Sequence, residues 1–219
     1  GHLDHSLNRM RDKDNAKECQ GYGDFRELLA QPDIDAVWVT TPDHWHALVT
    51  IAAAKAGKDI YCEKPLANSV GEGRAMIEAV KQHDRGLQCG SHERSNSNVR
   101  RACELVRSGK LGEVKTIHIY LPCEEGHHNE ARSRQGELKT AEVPAALDYD
   151  FWLGHTEEVP YADKRCHFWW RFNSRYGQGE MTDRGAHVID IAQLALDMDE
   201  SGPVEYEATG VPLKGGLYD

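Results

Sequence analysis

Several absences narrow the possibilities for this chain of 219 residues. No apolar run approaches the roughly 20 residues needed to span a bilayer, and the opening Gly1-His2-Leu3-Asp4 lacks the charged-then-apolar layout of an export signal. The sequence therefore reads as soluble, and a cytoplasmic setting is expected. No C-x-x-C pair occurs. Cys19, Cys62, Cys89, Cys103, Cys123 and Cys166 lie far apart, which argues against a zinc knuckle or a redox dithiol and fits reduced thiols. Basic residues are in deficit, 26 against 36 acidic ones, for a formal charge of -10. A nucleic-acid or anionic-membrane surface needs clustered Lys and Arg, so small molecules are the expected partners. Internal repeats and low-complexity tracts are missing too.

What is present is an alternation of strand and helix patterns. Ala36 to Thr40 is a β-rich apolar run that ends at Thr41-Pro42, and His44 to Gly57 has helical composition. Asp59 to Cys62 is the next strand, Ser69 to Asp84 the next helix, and Gly86 to Gly90 a third strand. Asp24 to Ala30 supplies a short helix upstream. Short apolar strands separated by helices require a parallel sheet covered on both faces, so residues 1–92 are expected to form a partial doubly wound α/β domain.

After Gly90 the rhythm changes. A helix over about Asn98 to Ser108 precedes Val114 to Tyr120, whose β-branched residues predict a strand. A second α/β domain is expected over residues 93–219. The stretch from Pro122 to about Tyr176 has little periodicity and is expected to wall a site. Thr182 to Met198 predicts a helix with Thr182 as N-cap, and Pro203 to Ala208 a final strand. Both ends of the chain read as cut: a dinucleotide fold opens with a strand, a Gly-rich turn and a helix, and a last strand at the C-terminus has no partner.

Three segments can carry chemistry. Glu63-Lys64-Pro65 follows a strand at its carboxyl end, where open α/β sheets bind ligands, and Pro65 keeps Lys64 out of the helical region and at the crevice. An ordinary solvated lysine in a strand-to-helix turn is the alternative. In Gly177 through Asp190, Asp183 and His187 are four residues apart on one helical face, with Gly185 between them allowing close approach of a ligand or backbone. A carboxylate beside an imidazole fixes its tautomer and raises its basicity, which suits a general base. A helix N-terminal acid and a structural histidine would give the same pattern, and Asp190 is a second possible partner for the histidine. In Thr40 to His46, a helix N-terminus would favour a phosphate or a ribose hydroxyl. His44 and His46 have no third ligand at metal-site spacing, so no metal is expected there. His127-His128 reads as solvated.

Together these residues resemble the Gfo/Idh/MocA family, the glucose-fructose and inositol dehydrogenase group, along essentially the whole chain. The resemblance rests on Asp33-Ile34-Asp35-Ala36-Val37 leading to Thr41-Pro42 and His46, on Ala54 through Lys58 leading to Glu63-Lys64-Pro65, and on Gly179 through Asp190. It implies a Rossmann domain for NAD, or NADP, followed by an α/β domain whose largely antiparallel sheet serves substrate binding and homo-oligomer contacts. Lys64, Asp183 and His187 inherit catalytic roles, with the histidine as acid/base at the substrate hydroxyl. Thr41, Pro42, His46, Glu63 and Lys64 line up with cofactor contacts, and Asp4 with the acidic residue at a strand end that holds the adenosine ribose, which favours NAD. His92 stands where a neutral amide often approaches the nicotinamide. Arg165, His167, Trp170 and Arg171 fall in the segment that meets sugars in related enzymes, where aromatic faces stack on pyranose rings, although packing would account for most of its aromatics. The chain departs from the family in lacking the Gly-rich turn, expected about thirty residues upstream, and in having Arg184 and Leu194 where tryptophans are common. The implied activity is nicotinamide-dependent oxidation of a CH–OH group of a sugar, polyol or glycoside. Glycoside cleavage by oxidation and elimination, and a fragment that binds no cofactor, are the alternatives.

Overall fold

The computed structural model describes residues 2–12, 18–121 and 138–210. His127, His128 and Cys123 lie outside the described residues, as does the first part of the long segment expected to wall a site.

Three parallel strands form the sheet in the order β1-β2-β3: Ala36–Val39, Asp59–Glu63 and Leu87–Gly90. Two short helices precede it, α1 (His2–Arg11) and α2 (Phe25–Leu29), the latter capped by Asp24, whose carboxylate accepts from the Arg26 N–H. The crossover helices are α3 (Asp43–Lys55) and α4 (Val70–Gln82). α3 ends where Gly57 takes φ +76, a left-handed conformation that glycine adopts without a Cβ penalty. α4 begins with Ser69 Oγ accepting from the Glu72 N–H at 3.2 Å while the Glu72 carboxylate accepts from the Asn68 N–H at 2.8 Å, which satisfies two otherwise orphaned donors.

α3 and α4 pack against each other, so both lie on one face of the sheet. Successive right-handed crossovers running in one direction place their helices on the same side. Between them and the strands sits the first core, with Val39, Ala53, Ile60, Cys62 and Met76 almost fully buried. The expected cover on both faces is not found among the described residues: Trp38 is 67% exposed on the opposite face and meets Tyr61 edge-on.

The remaining described elements are a 3-10 turn at His92–Ser95, α5 (Ser97–Arg107), α6 (Tyr149–Leu153), two further 3-10 turns at Asp163–Arg165 and Trp169–Phe172, α7 (Glu180–Asp183) and α8 (Gly185–Ala195). The helix expected from Thr182 thus starts two residues earlier with Gly179 as its N-cap, and it is interrupted at Arg184. A second core gathers Tyr149, Leu153, Tyr161, Cys166, Trp170 and Tyr176.

The strands expected at Val114–Tyr120 and Pro203–Ala208 are not formed among the described residues. A strand is a property of a pair, and β-branched composition supplies only a side-chain pattern, not the neighbouring backbone. Val114 to Tyr120 instead lies beside α5 and α8, where Cys103, Val106, Ile117, Val188 and Ile191 line an apolar groove.

Candidate active site at the carboxyl ends of β1 and β2

The loop after β1 and the end of β2 open onto a pocket of about 300 Å³ lined by Thr40, Thr41, Pro42, Asp43, His46, Glu63, Lys64, Trp170, Arg171 and Asp183. The residues come from both halves of the sequence. Lys64 follows β2, and its ammonium donates to the backbone carbonyl of Asp183 at 2.9 Å and forms an ion pair with the Asp183 carboxylate. The other carboxylate oxygen, Oδ2, lies 3.5 Å from Arg171 Nε. Asp183 is therefore divided between two cations.

Gly90 allows β3 to lie close beside the end of β2. A Cβ there would sit 2.7 Å from the Glu63 carboxylate and 3.1 Å from Glu63 Cα, so only glycine lets the Glu63 side chain cross at that register. On the far side, the Arg171 carbonyl accepts from the Gly179 N–H at 2.8 Å, and a Cβ on Gly177 would fall 2.9 Å from the same carbonyl oxygen. This backbone contact fixes the start of α7, and Asp183 with it, relative to Arg171.

Four-residue spacing places Asp183 and His187 on one face, but the Asp183 carboxylate makes its contacts with Lys64 and Arg171. Asp190 is no partner for the histidine either, because Arg94 holds it through Nε at 2.7 Å and Nη2 at 2.6 Å. The nearest ring to His187 is His92, at 4.3 Å between centroids and 70° between planes. Burial lowers the His187 pKa, and the positive charges of Lys64 and of a protonated His92 lower it further. A Cβ on Gly185 would meet the Glu180 carbonyl oxygen and the Met181 sulfur at 3.4 Å, so its own helix segment occupies the approach expected for a ligand.

His46 is 1% exposed, with Nδ1 2.7 Å from the Pro65 carbonyl and Nε2 2.8 Å from the Thr41 carbonyl. It ties the turn after β1 to the cis Lys64-Pro65 segment, and both ring nitrogens are occupied by backbone, so it offers no nitrogen to a cofactor. His44 Nε2 and Trp45 Nε1 both meet the Trp152 carbonyl, at 2.9 and 3.1 Å, while His44 Nδ1 is buried without a partner. The two α3 histidines thus serve backbone carbonyls of different segments.

Motif spacing alone does not single out Asp43. It is 6% exposed in the first turn of α3 and lines the pocket. Burial first, then the Asp183 charge, push its pKa up to about 7, against the opposing pull of Arg171 and Lys64. Its position just after Pro42, at the carboxyl end of a parallel strand, was the available signal.

Of the expected sugar-side residues, Trp170 and Arg171 reach the pocket, and the Arg171 guanidinium lies over the Trp170 ring at 4.4 Å. Arg165 and His167 do not. Arg165 is buried, and it is Cys166 beside it that joins the second core. The His167 side chain is 57% exposed, 3.8 Å from Asp163. Trp169 packs on Phe168 and Phe172, a structural role for most of this aromatic run. Asp4, expected at a strand end, lies exposed in the first turn of α1.

A family model described as "Oxidoreductase family, NAD-binding Rossmann fold" matches residues 1–91, and its companion, "Oxidoreductase family, C-terminal alpha/beta domain", matches residues 95–213. The chain belongs to the Gfo/Idh/MocA family. Levoglucosan dehydrogenase of Pseudarthrobacter phenanthrenivorans is 40% identical over 175 residues, which is 79% of this chain and 36% of that protein. Among solved structures, a levoglucosan dehydrogenase in complex with NADH and levoglucosan is 29% identical, with a TM-score of 0.51 over 80% of this chain and 38% of that one. Aldose-aldose oxidoreductase from Caulobacter crescentus, complexed with glycerol, is 29% identical with a TM-score of 0.53 over 80% of this chain and 41% of that one. The chain spans about a third of the length of the curated relatives it matches. Among the described residues no helix is long and apolar enough to cross a membrane.

Proposed function

We propose that this Gfo/Idh/MocA chain carries the catalytic groups of an oxidoreductase that acts on a CH–OH group of a sugar, polyol or glycoside with NAD as hydride acceptor. The observation that carries this reading is the Lys64–Asp183 contact across the pocket, which joins residues 119 apart in sequence at the carboxyl ends of β1 and β2.

The residues fit a nicotinamide dinucleotide in one testable respect. Thr41 Oγ1, in the pocket wall, is buried with no hydrogen-bond partner, and α3 begins beside it with no side-chain cap on its first N–H groups. Thr41, Pro42, Glu63 and the N-terminus of α3 would hold the ribose and nicotinamide end. When bound, the cofactor supplies a hydride acceptor.

The chain's own residues would then handle the substrate and its proton. An ammonium has three donors, and Lys64 commits two directions to Asp183, leaving one for a substrate oxygen in the pocket. That N–H polarises the C–O bond as it becomes a carbonyl. His187, held unprotonated by burial and by Lys64, has the lone pair to take the hydroxyl proton as the hydride leaves carbon. Trp170 and Arg171 wall the pocket on the substrate side, one with an aromatic face and the other with hydrogen-bond donors.

Two measurements test the proposal. Titration of NAD against the folded chain, followed by tryptophan fluorescence, is expected to saturate. A panel of free sugars, polyols and glycosides is expected to yield steady NADH formation with at least one free sugar or polyol. Release of aglycone with no net cofactor change would overturn the dehydrogenase reading in favour of oxidation and elimination. Absence of both binding and turnover in a chain with a native circular dichroism spectrum would overturn the proposal entirely.

A further inference from the structure

Arg165 closes the 3-10 turn Asp163–Arg165, and its backbone N–H donates to the Ala162 carbonyl at 2.9 Å. The turn folds a long basic side chain inward beside the second core, and Arg165 keeps only 9% of its surface in solvent. Its Nε and Nη1 are buried without a hydrogen-bond partner, and no carboxylate of the described residues pairs with it. Arginine is a permanent cation in proteins, and a buried charge is tolerated only when paired or hydrogen-bonded. The acids around this core are committed elsewhere. Asp148 caps α6 by accepting from the Phe151 N–H at 3.0 Å, Asp163 lies exposed 3.8 Å from the His167 ring, and Glu157 meets Arg175 at 3.0 Å.

The core supplies no counter-charge of its own. It holds Tyr149, Tyr161, Cys166 and Tyr176. Burial pushes the Tyr149 hydroxyl and the Cys166 thiol up to about 12, against a weaker downward pull from Arg165 on each, and burial raises Tyr161 as well. Tyr149 and Cys166 thus lie within reach of the guanidinium charge and stay neutral near pH 7. The Tyr176 hydroxyl is fully buried and also has no partner. Both unpartnered groups can donate, so the complement of this core is an acceptor. The uncompensated positive charge makes that acceptor an anion.

We propose that Arg165 is the centre of a small-oxyanion site beside the second core, taking a phosphate or carboxylate group on its guanidinium fork. Nε and Nη1 belong to opposite edges of the fork and share Nη2, so either edge can seat two oxygens. The site is separate from the Lys64–Asp183 pocket, whose lining does not include Arg165. It stands whether or not the chain oxidises a sugar.

The test is thermal unfolding of the 219-residue chain in sodium phosphate, sodium acetate and sodium chloride at equal ionic strength and pH. Chloride controls for general screening. An anion that binds only the folded state raises the melting temperature with its concentration. At about a hundredfold excess over the dissociation constant, the rise is expected to be roughly 5 °C or more with at least one of the two oxyanions. A rise with acetate alone assigns the site to a carboxylate, and a rise with phosphate alone to a phosphate. Arg165→Met keeps an apolar stem without the charge and is expected to abolish the rise. Arg165→Lys keeps the charge without the fork and is expected to weaken binding. No rise above chloride in the wild type overturns the proposal. So does an undiminished rise in Arg165→Met, which would put the anion at another cation such as Lys64 or Arg171. Should Arg165→Met fail to fold, Arg165→Lys decides, and an unchanged dissociation constant there overturns the site.

Discussion

Lys64 donates to the backbone carbonyl of Asp183 as well as pairing with its carboxylate, so the contact has a charged part and a neutral part. A charge-assisted bond is roughly twice as strong as a neutral one, and the two parts can be separated by mutation. Asp183→Asn removes the charge and keeps the carbonyl, whereas Lys64→Ala removes both.

Lys64→Ala and His187→Ala are each expected to lower turnover at least about a hundredfold, the usual scale for a group that moves or polarises a proton. Asp183→Asn is expected to cost roughly tenfold, equivalent to about 1.4 kcal/mol of transition-state stabilisation. Steady-state kinetics on the three variants give the order. Near-normal turnover in Lys64→Ala or His187→Ala would remove that residue from the mechanism.

Asp43 makes stability depend on pH in a defined direction. Its folded pKa, about 7, lies above the ordinary 3.8 because burial and Asp183 disfavour its charge. Between those values the folded chain keeps a proton that the unfolded chain releases, so this contribution falls as pH rises from about 4 through about 7. Urea unfolding of Asp43→Asn should lack that decline, and the gap between the two pH profiles should change by on the order of 2–4 kcal/mol from pH 4 to 8. Parallel profiles would show that Asp43 titrates normally.

His44 works in the opposite sense over an overlapping range. Burial lowers its pKa from 6.5 to about 4, against the pull of the Trp152 carbonyl. The unfolded chain therefore takes up a proton first, and stability is lost as pH falls from about 6.5 through about 4. His44→Phe keeps an aromatic ring beside Trp152 and Tyr176 and should flatten this acid-side loss, worth on the order of 2–3 kcal/mol. Thermal unfolding at pH 4.5 and 7.5 measures it, and an equal acid loss in both proteins would assign the effect elsewhere.

Gly177→Ala should disturb the site without touching a charged group. The new Cβ would meet the Arg171 carbonyl oxygen at 2.9 Å and Arg171 Cα at 3.1 Å, and backbone atoms cannot rotate away as a side chain can. A destabilisation of about 1–3 kcal/mol is expected, together with reduced turnover as Arg171 and the start of α7 separate. Gly23→Ala, which meets nothing within 4 Å, is the matched control.

The sequence read differently at different levels. The strand at Asp59 and the helix from Ser69 were legible because a short apolar run and helical composition are local signals, and the structure agrees to within two residues at each end. Val114 to Tyr120 carried the same kind of signal and formed no strand among the described residues, since its composition could not supply a partner. In the site, the order of motifs singled out Lys64, Asp183 and His187 together, but the spacing did not give Lys64 and Arg171 as the contacts of the Asp183 carboxylate. Four residues along a helix define a shared face, but a nearby ammonium from another element outcompetes a neutral imidazole for a carboxylate.

Sequence alone determined the parallel α/β order, the family, and the residue types available for proton and hydride chemistry, because these follow from local periodicity and from motifs at fixed spacing. Tertiary structure alone decided which groups meet. It set Asp183 between Lys64 and Arg171, His92 against His187, and Asp190 against Arg94, and it buried Asp43 in the pocket wall. Such pairings depend on the three-dimensional distances between β2, the 3-10 turns and the α7–α8 segment, and on how much water each charge retains there. No local pattern in the chain encodes either quantity.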